Sequence, residues 1–445
     1  MTTSIPNELL DHIFGLVGEH GTLHSLSLAS RTFNTIARPH LYKTLRVGSE
    51  AKSGNLEPLV RTLTQNPALG ELVSKIYIDD LYDDYDEVDA QRAARTENQA
   101  KFHTILAKAH RSEVVELFAA RQSTASHIRT AGEREDPAFY PWLELLLISM
   151  PKLRAMEIVQ SSALADFWSR LRALLGAPDV LRNVEIIQVE HSDTKGGVHM
   201  EELGPLLKMT QPKELGVHPC VSIPYFSTTV TRQFGLRKLR LEHSFLSSLG
   251  WKKIAINYPL LEELVYTSGP STVIQYKIWE EATPHEVGEK ILSLRTTLRK
   301  LVYDTSESGR HDNLSHSPDY APFESFKTFT KLESLAISLN AIATRQGSED
   351  SEGEWGPFLH KLPPNLQVLG IPGATKHVAD EYMRLAEIAK VEFPSLTTIN
   401  IHDYEIDDVI AQSLKLAFMN TAITIQPSKF ESEARCKYRR PGRCH

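Results

Sequence analysis

Residues 1–17, MTTSIPNELLDHIFGLV, place apolar side chains at the intervals of an amphipathic helix. Pro6 suits the first helical position, because its missing N–H would have no partner there in any case. The helix carries two apolar stripes about a quarter-turn apart: the first is Leu9, Ile13, Leu16 and Val17, and the second is Leu10 and Phe14. A helix at the edge of a fold ordinarily needs one stripe. The second stripe therefore packs either against the rest of the chain or against a partner.

Two shorter helical patterns follow in TLHSLSLASRTFNTIARPHLY. Thr22 is a plausible cap for a helix with three leucines, and Ser30 for a third helix that Pro39 ends. The apolar residues of these two helices are Leu23, Leu26, Leu28, Phe33, Ile36 and Ala37. Three short helices over about 45 residues make a core that is marginal by itself.

Four groups of residues in this segment follow one another in a characteristic order: Ile5-Pro6-x-Glu8-Leu9-Leu10, Ile13-Phe14, Leu26-x-Leu28-Ala29-Ser30-Arg31-x-Phe33 and Ile36-Ala37-Arg38-Pro39-x-Leu41-Tyr42. In this order they resemble an F-box, the module by which many proteins bind the Skp-family adaptor of a cullin–RING ubiquitin ligase. Three features depart from the family pattern. Ile5 replaces the usual leucine, Phe33 stands where tryptophan is common, and GLVGEHGT places glycines between the first two helices.

The resemblance implies an adaptor-binding role for the helices. The residues that would bind the adaptor are Ile5, Pro6, Leu9, Leu10, Ile13, Phe14, Leu26, Leu28 and Phe33. The second stripe, Leu10 and Phe14, would then face the partner protein.

Behind this segment, the pattern apolar-x-x-apolar-x-apolar recurs along the chain. Its copies are Val73-Ile76-Ile78, Leu153-Met156-Ile158, Leu181-Val184-Ile186, Leu236-Leu239-Leu241, Leu261-Leu264-Tyr266, Leu298-Leu301-Tyr303, Leu332-Leu335-Ile337, Leu366-Leu369-Ile371 and Leu396-Ile399-Ile401, with a damaged copy at Leu215 and Val217. Pro151, Pro259, Pro364 and Pro394 each stand two residues before the first anchor of a copy. This shared offset argues against chance.

The last two anchors of each copy lie on one face of a strand, and several copies follow helical patterns such as HVADEYMRLAEIAKVEFP. One short strand and one helix per copy predict a stacked array. The copies resemble leucine-rich repeats, although most spacings exceed the usual ~20–29 residues. An asparagine after the strand, common in that family, occurs only at Asn340, slightly displaced. The alternative is an ordinary α/β domain whose strands begin with leucine.

The predicted fold class is therefore α/β, with a small three-helix module followed by a curved, leucine-rich-repeat-like solenoid of short parallel strands and helices. The predicted divisions are 1–48 for the helical module, 49–150 for a linking region with the first irregular repeat and an acidic loop, 151–425 for the solenoid and 426–445 for a basic tail.

In a solenoid, the residues that alternate with the anchors point outward. In the copies from Leu236 to Tyr303 these positions alternate in charge, which predicts cross-strand pairing. In the later copies they are small and nearly uncharged, which leaves room for a partner. The hypothetical protein-binding residues are Ser334, Ala336, Ser338, Val368, Gly370, Thr398, Asn400 and His402.

Composition narrows the classes of function. A net charge of −7 does not suggest a nucleic-acid binder, and three cysteines, Cys220, Cys436 and Cys444, fit a reducing compartment. No apolar run approaches the roughly 18 residues that span a bilayer, and the N-terminus lacks the basic lead of a secretory signal. We expect a cytoplasmic or nuclear protein without a membrane partner.

No constellation of residues indicates catalysis, a metal or a cofactor. A phosphate-binding loop is absent, and HEVGE at His285 lacks the second histidine of a zinc motif. The aspartates between Asp79 and Asp89 do not fit a calcium loop, and Cys436, Cys444 and His445 do not fill a zinc site.

The resemblances together imply a non-catalytic substrate-recognition subunit of an SCF-type ubiquitin ligase, which binds the Skp-family adaptor and a protein substrate. Two alternatives remain: a scaffold that acts without ubiquitylation, and an enzyme whose site lies in the long insertions.

Overall fold

The computed structural model describes residues 5–48, 56–79, 139–160, 168, 181–191, 197–200, 202–221, 235–268, 281–305, 321–346, 354–371, 376–401 and 408–427. The protein is a mixed α/β molecule with parallel strands. Its chain divides into two compact units, Met1–Ser192 with Glu202–Pro212, and Asp193–Glu201 with Lys213–His445.

The first unit begins with three helices, α1 (Asn7–Leu16), α2 (His20–Ala29) and α3 (Arg31–Lys43). We call residues 5–43 the helical module. Ser30 caps α3 as predicted, since its Oγ accepts a hydrogen bond from the Phe33 N–H at 3.1 Å. Two boundary predictions are wrong. Helix α2 begins before Thr22, whose hydroxyl donates to Glu19 at 2.7 Å, and α3 continues past Pro39 because Leu41 still packs on the module's core.

Strands of the first unit are parallel and follow chain order: β1 (Thr44–Val47), β2 (Lys75–Ile78), β3 (Ala155–Gln160) and β4 (Ile186–His191). Helices α4 (Leu56–Gln65), α5 (Pro67–Gly70), α6 (Phe139–Ile148) and α7 (Gly204–Thr210) accompany them. Strand β1 starts at the residue after α3, so the helical module continues into the strands without a linker.

One predicted repeat has the wrong register. We predicted anchors at Leu181, Val184 and Ile186, but Ile186 is exposed, whereas Ile187 and Val189 are buried. The repeat therefore runs Val184-Ile187-Val189. Leu181, Val184 and Ile187 recur every third residue, so the spacing alone fits both alignments.

The second unit contains eight parallel strands in chain order. These are β6 (Glu214–His218), β8 (Lys238–Ser244), β9 (Glu263–Ser268), β10 (Lys300–Asp304), β11 (Ser334–Ile337), β14 (Val368–Gly370), β15 (Thr398–Ile401) and β16 (Thr424–Pro427). Two short pairs accompany them: β5 (Val198–His199) with β7 (Cys220–Val221), and the antiparallel β12 (Arg345–Gln346) with β13 (Glu354–Trp355). The predicted anchors between Leu236 and Ile401 are buried on the inner face.

The helices of this unit are α8 (Ser248–Asn257), α9 (Pro284–Ile291), α10 (Leu339–Ile342), α11 (Lys376–Glu392) and α12 (Asp408–Phe418). Among the helices of the described residues, none is both long enough and apolar enough to cross a bilayer.

A repeated backbone contact aligns successive strands. At the start of most of the parallel strands, two adjacent N–H groups donate to one carbonyl of the preceding repeat; those of Glu262 and Glu263, for example, donate to the Arg237 carbonyl at 2.8 and 2.9 Å. The same contact recurs at Arg299 and Lys300 on Glu262, and at Gln367 and Val368 on Glu333. It fixes the register that places equivalent side chains in rows across the strands.

At the opposite ends of the strands, side-chain hydroxyl groups accept hydrogen bonds from backbone N–H groups. Leucine-rich repeats commonly have an asparagine after the strand. The contacts are Cys220 N–H to Ser244 Oγ at 3.0 Å, His243 N–H to Thr267 Oγ1 at 2.9 Å, and Thr305 N–H to Ser338 Oγ at 3.3 Å. Each hydroxyl accepts from the backbone of the preceding strand's end, so buried backbone donors remain paired. Asn340 joins the series as an acceptor from Thr305 Oγ1 at 3.0 Å.

Candidate interaction surfaces

The first helix exposes the stripe that we expected to be its core-facing side. Ile5, Leu9, Ile13 and Leu16 are all exposed, Leu9 to 50% and Leu16 to 74%. We call these four residues the exposed stripe of α1. Leu28 on α2 is exposed as well, to 72%. Single exposed apolar residues are ordinary on soluble proteins, but three at helical spacing on one short helix, with Ile5 just before it, form a candidate docking surface.

The prediction that Leu10 and Phe14 face a partner is wrong. They are only 8% and 3% exposed and form the core of the helical module together with Leu23 and Ala37. The Phe14 ring packs edge-on against Phe33 with centroids 5.5 Å apart. The two stripes have therefore exchanged roles, because both have helical spacing and only the packing of three helices decides which turns inward.

The remaining predicted adaptor-binding residues are divided between surface and interior. Pro6 is exposed, whereas Leu26 and Phe33 are partly buried and pack against the core of the module. Leu16 was not among the predicted binding residues, although its place in the first stripe was the signal that could have identified it.

An ion pair and the shared core orient α1 on α3. The Nε2 atom of His40 lies 2.9 Å from Oδ1 of Asp11. Asp11 and Leu10 are consecutive, so the side of α1 that contacts α3 adjoins its buried side. The exposed stripe lies on the remaining side of α1 and is fully formed before any partner binds.

In the second unit, the predicted protein-binding residues lie in two rows that cross the strands. Ser334, Val368 and Thr398 are aligned in one row, and Ala336, Gly370 and Asn400 in the other. Strand β16 extends both rows with Thr424 and Gln426, which are exposed. We call these eight residues the uncharged rows. Sequence reasoning missed the last two because β16 lacks the leading leucine anchor.

Two of the predicted residues do not belong to this surface. Ser338 is buried, and its Oγ lies 2.9 Å from Oγ1 of Thr305 and accepts from the Thr305 N–H, so it serves the strand ends. His402 lies outside the described residues.

The earlier strands of this unit carry charges that neutralise one another across the sheet, as predicted. Lys238 pairs with Glu263 at 2.8 Å, and the hydrogen bond that it donates to Glu263 raises the pKa of Lys238 above its ordinary value. One position before the strands, Arg299 donates to both carboxylate oxygens of Glu333 at 2.9 and 3.0 Å. This hydrogen-bonded contact raises the pKa of Arg299. These charges are satisfied within the protein.

The outward face of β9 and β10 is not open. Val265 and Val302 occupy the same row as Ala336, but they are only 2% and 5% exposed. Thr267 and Asp304 on the same face are buried too. The accessible part of the rows is therefore confined to β11, β14, β15 and β16, where Gly370 is buried and the other seven residues are partly or fully exposed.

No metal-binding constellation emerges: within the described ranges, no three His, Cys, Asp or Glu residues are grouped to hold an ion. The HEVGE segment lies at the start of α9, where Thr283 and Glu286 form a reciprocal cap. Asp80–Asp89 and the pair Cys436 and Cys444 with His445 lie outside the described residues.

No family model matches this chain, and no curated protein matches it either.

Proposed function

We propose that the chain is a substrate-recognition subunit of an SCF-type ubiquitin ligase, with an F-box-like helical module and leucine-rich-repeat-like strands. One observation carries the proposal. The helical module completes its own core with Leu10, Phe14, Leu23 and Ala37, and still exposes three large apolar residues on α1 and Ile5 just before it. A surface of this kind favours a protein partner, and the resemblance of residues 5–42 to an F-box suggests that this partner is the Skp-family adaptor.

The uncharged rows supply the second half of the proposed function. Their side chains are short and carry no charge, so a protein substrate can approach the strands without displacing an ion pair. The mechanism is positional: the adaptor brings the ligase, the rows hold the substrate, and ubiquitin transfer gains from the raised effective concentration. The described residues provide binding and orientation in this mechanism.

The experiment is a binding measurement between the full chain and a purified Skp-family adaptor. We expect the Leu9→Asp, Ile13→Asp double variant to bind at least about tenfold more weakly, because it places two charges in an apolar contact. The matched control is Leu416→Asp with Met419→Asp, two exposed apolar residues of the second unit. Circular dichroism checks that both variants remain folded.

Two results would count against the proposal. Absence of binding by the wild-type chain would mean that the adaptor is not a partner. Equal binding by both variants would mean that the exposed stripe of α1 is not the binding site. The ligase step is tested separately, by adding the cullin–RING partners, the activating and conjugating enzymes, ubiquitin and ATP to the complex. We then expect ubiquitylation of proteins that the chain retains; a scaffold that acts without ubiquitylation gives none.

A further inference from the structure

Residues 20–49, which include α2, α3 and β1, carry a net positive charge, although the whole chain is acidic. Residues 20–49 contain no aspartate or glutamate, whereas the full chain has a net charge of −7. Within this segment the cationic side chains are Arg31, Arg38, Lys43 and Arg46, and all four are exposed. The three acidic residues of the helical module all lie at or before Glu19, and its three basic residues, Arg31, Arg38 and Lys43, all lie after it.

These cations are not neutralised by the protein in the way that the charges of the second unit are. Arg38 donates a hydrogen bond to Asn34 Oδ1 at 3.0 Å, and Arg46 makes a cation–π contact with the Tyr77 ring at 5.1 Å. Among the residues that the structure describes, none of the four is paired with a carboxylate. Their positive potential is therefore available to a partner.

Helix geometry places two of the cations on one side of α3. Arg31 and Arg38 are seven residues apart, which is two turns and about 10 Å along the helix. Asn34, which lies between them in the chain, donates to the Ser27 carbonyl of α2, and Ala37 is fully buried in the core. Leu28, the exposed leucine of α2, precedes Arg31 by three residues. We call Arg31 and Arg38 the cationic flank.

We infer that the cationic flank binds an acidic protein surface on the partner of the helical module, so that association is guided by charge and secured by the apolar stripe. This inference rests on the proposed function. Arginine is enriched at protein interfaces, whereas nucleic-acid binders present a larger basic surplus along the phosphate backbone. Two cations within about one Debye length of each other act together at low salt.

The test measures the association rate of the full chain with a purified Skp-family adaptor at low and high salt. The variant is Arg31→Glu with Arg38→Glu. Glutamate at position 31 lies in the first turn of α3, where the helix dipole favours it, so the helix should persist. The control is Lys327→Glu with Lys331→Glu, which changes the net charge equally at two exposed positions of the second unit.

We expect the flank variant to associate roughly tenfold more slowly at low salt, with a weaker salt dependence, while the control matches the wild type. Equal rates for all three proteins at low salt would overturn the inference and leave the adaptor assignment intact. Equal slowing in the control would show that net charge acts and the flank does not, and would also overturn it. If the wild type does not bind the adaptor, the proposed function fails, and the inference fails with it.

Discussion

Two buried tyrosines of the second unit differ in one respect, the partners of their hydroxyl groups. Tyr266 donates toward the Ser244 carbonyl at 3.0 Å and toward Glu281 Oε1 at 2.5 Å. The Tyr382 hydroxyl is equally buried and has no hydrogen-bond partner in the described part of the chain. Burial raises the pKa of both phenols, and the negative charge of Glu281 raises that of Tyr266 further. The pair therefore separates the effect of burial from the effect of hydrogen bonding.

At neutral pH, we expect Tyr266→Phe to lower the free energy of unfolding by about 1–3 kcal/mol, because the buried Ser244 carbonyl and Glu281 lose the hydroxyl donor that they share. Tyr382→Phe should be neutral or stabilising, since it removes a buried polar atom that makes no hydrogen bond. Urea denaturation followed by circular dichroism at neutral pH checks both variants. An equal loss in both would contradict the assignment of partners.

The same tyrosines predict the alkaline behaviour of the protein. A folded-state pKa above the unfolded value of about 10 means that stability is fully present below pH 10 and is lost as the pH rises beyond it. We therefore expect wild-type stability to fall more steeply above pH 10 than that of either phenylalanine variant. Denaturation curves at a series of alkaline pH values measure these slopes, and parallel slopes would contradict the raised pKa values.

At the scale of elements, the sequence determines most strands and leaves the orientation of α1 open. Leucine anchors predicted the strands from β8 to β15 because each anchor triplet is buried on one face. The periodic run Leu181, Val184, Ile187 allowed two registers, and β1 and β16 lack a leading anchor. The stripes of α1 are a similar ambiguity, since both are apolar at helical spacing and the packing of α2 and α3 decides which stripe is buried.

The exchange of the stripes gives an element-scale prediction. Phe14→Ala should destabilise the helical module by about 3–5 kcal/mol, because it leaves a cavity beside Phe33 and Leu10. Leu9→Ala on the exposed stripe should change stability by no more than about 0.5 kcal/mol. Hydrogen exchange of residues 7–43 measures both effects locally. Faster exchange in Leu9→Ala than in Phe14→Ala would contradict the burial of the second stripe.

Two candidate surfaces lie in different units of the molecule, and each is formed without the other. The exposed stripe and the cationic flank belong to the first unit, and the uncharged rows belong to the second. The sequence predicted six of the eight residues in the rows from alternation alone, but it could not show that the Ser338 hydroxyl is hydrogen-bonded to Thr305. It also could not show that the same face is closed at β9 and β10, because that burial depends on tertiary packing.

The whole-molecule prediction is that substrate capture can be removed while adaptor binding is kept. Ala336 and Gly370 are aligned on neighbouring strands, and a Cβ atom at Gly370 would lie 3.5 Å from the Cβ atoms of Ala336 and Asn400, an ordinary contact. Ala336→Arg with Gly370→Arg should therefore fold, at a cost of up to about 1 kcal/mol for like charges on adjacent strands. The two large, charged side chains would block access of a substrate to the uncharged rows.

We expect this double variant to bind the adaptor like the wild type while losing the ubiquitylated proteins that accumulate on the wild-type chain when the proteasome is blocked. Quantitative comparison of the co-purifying ubiquitylated proteins measures the loss. Ser293→Arg with Gln412→Arg, at two exposed positions elsewhere in the second unit, provides the control with the same added charge. A row variant that retains the same ubiquitylated proteins as this control would mean that substrates bind elsewhere on the chain. Loss of adaptor binding in the row variant alone would instead mean that the two surfaces are not independent.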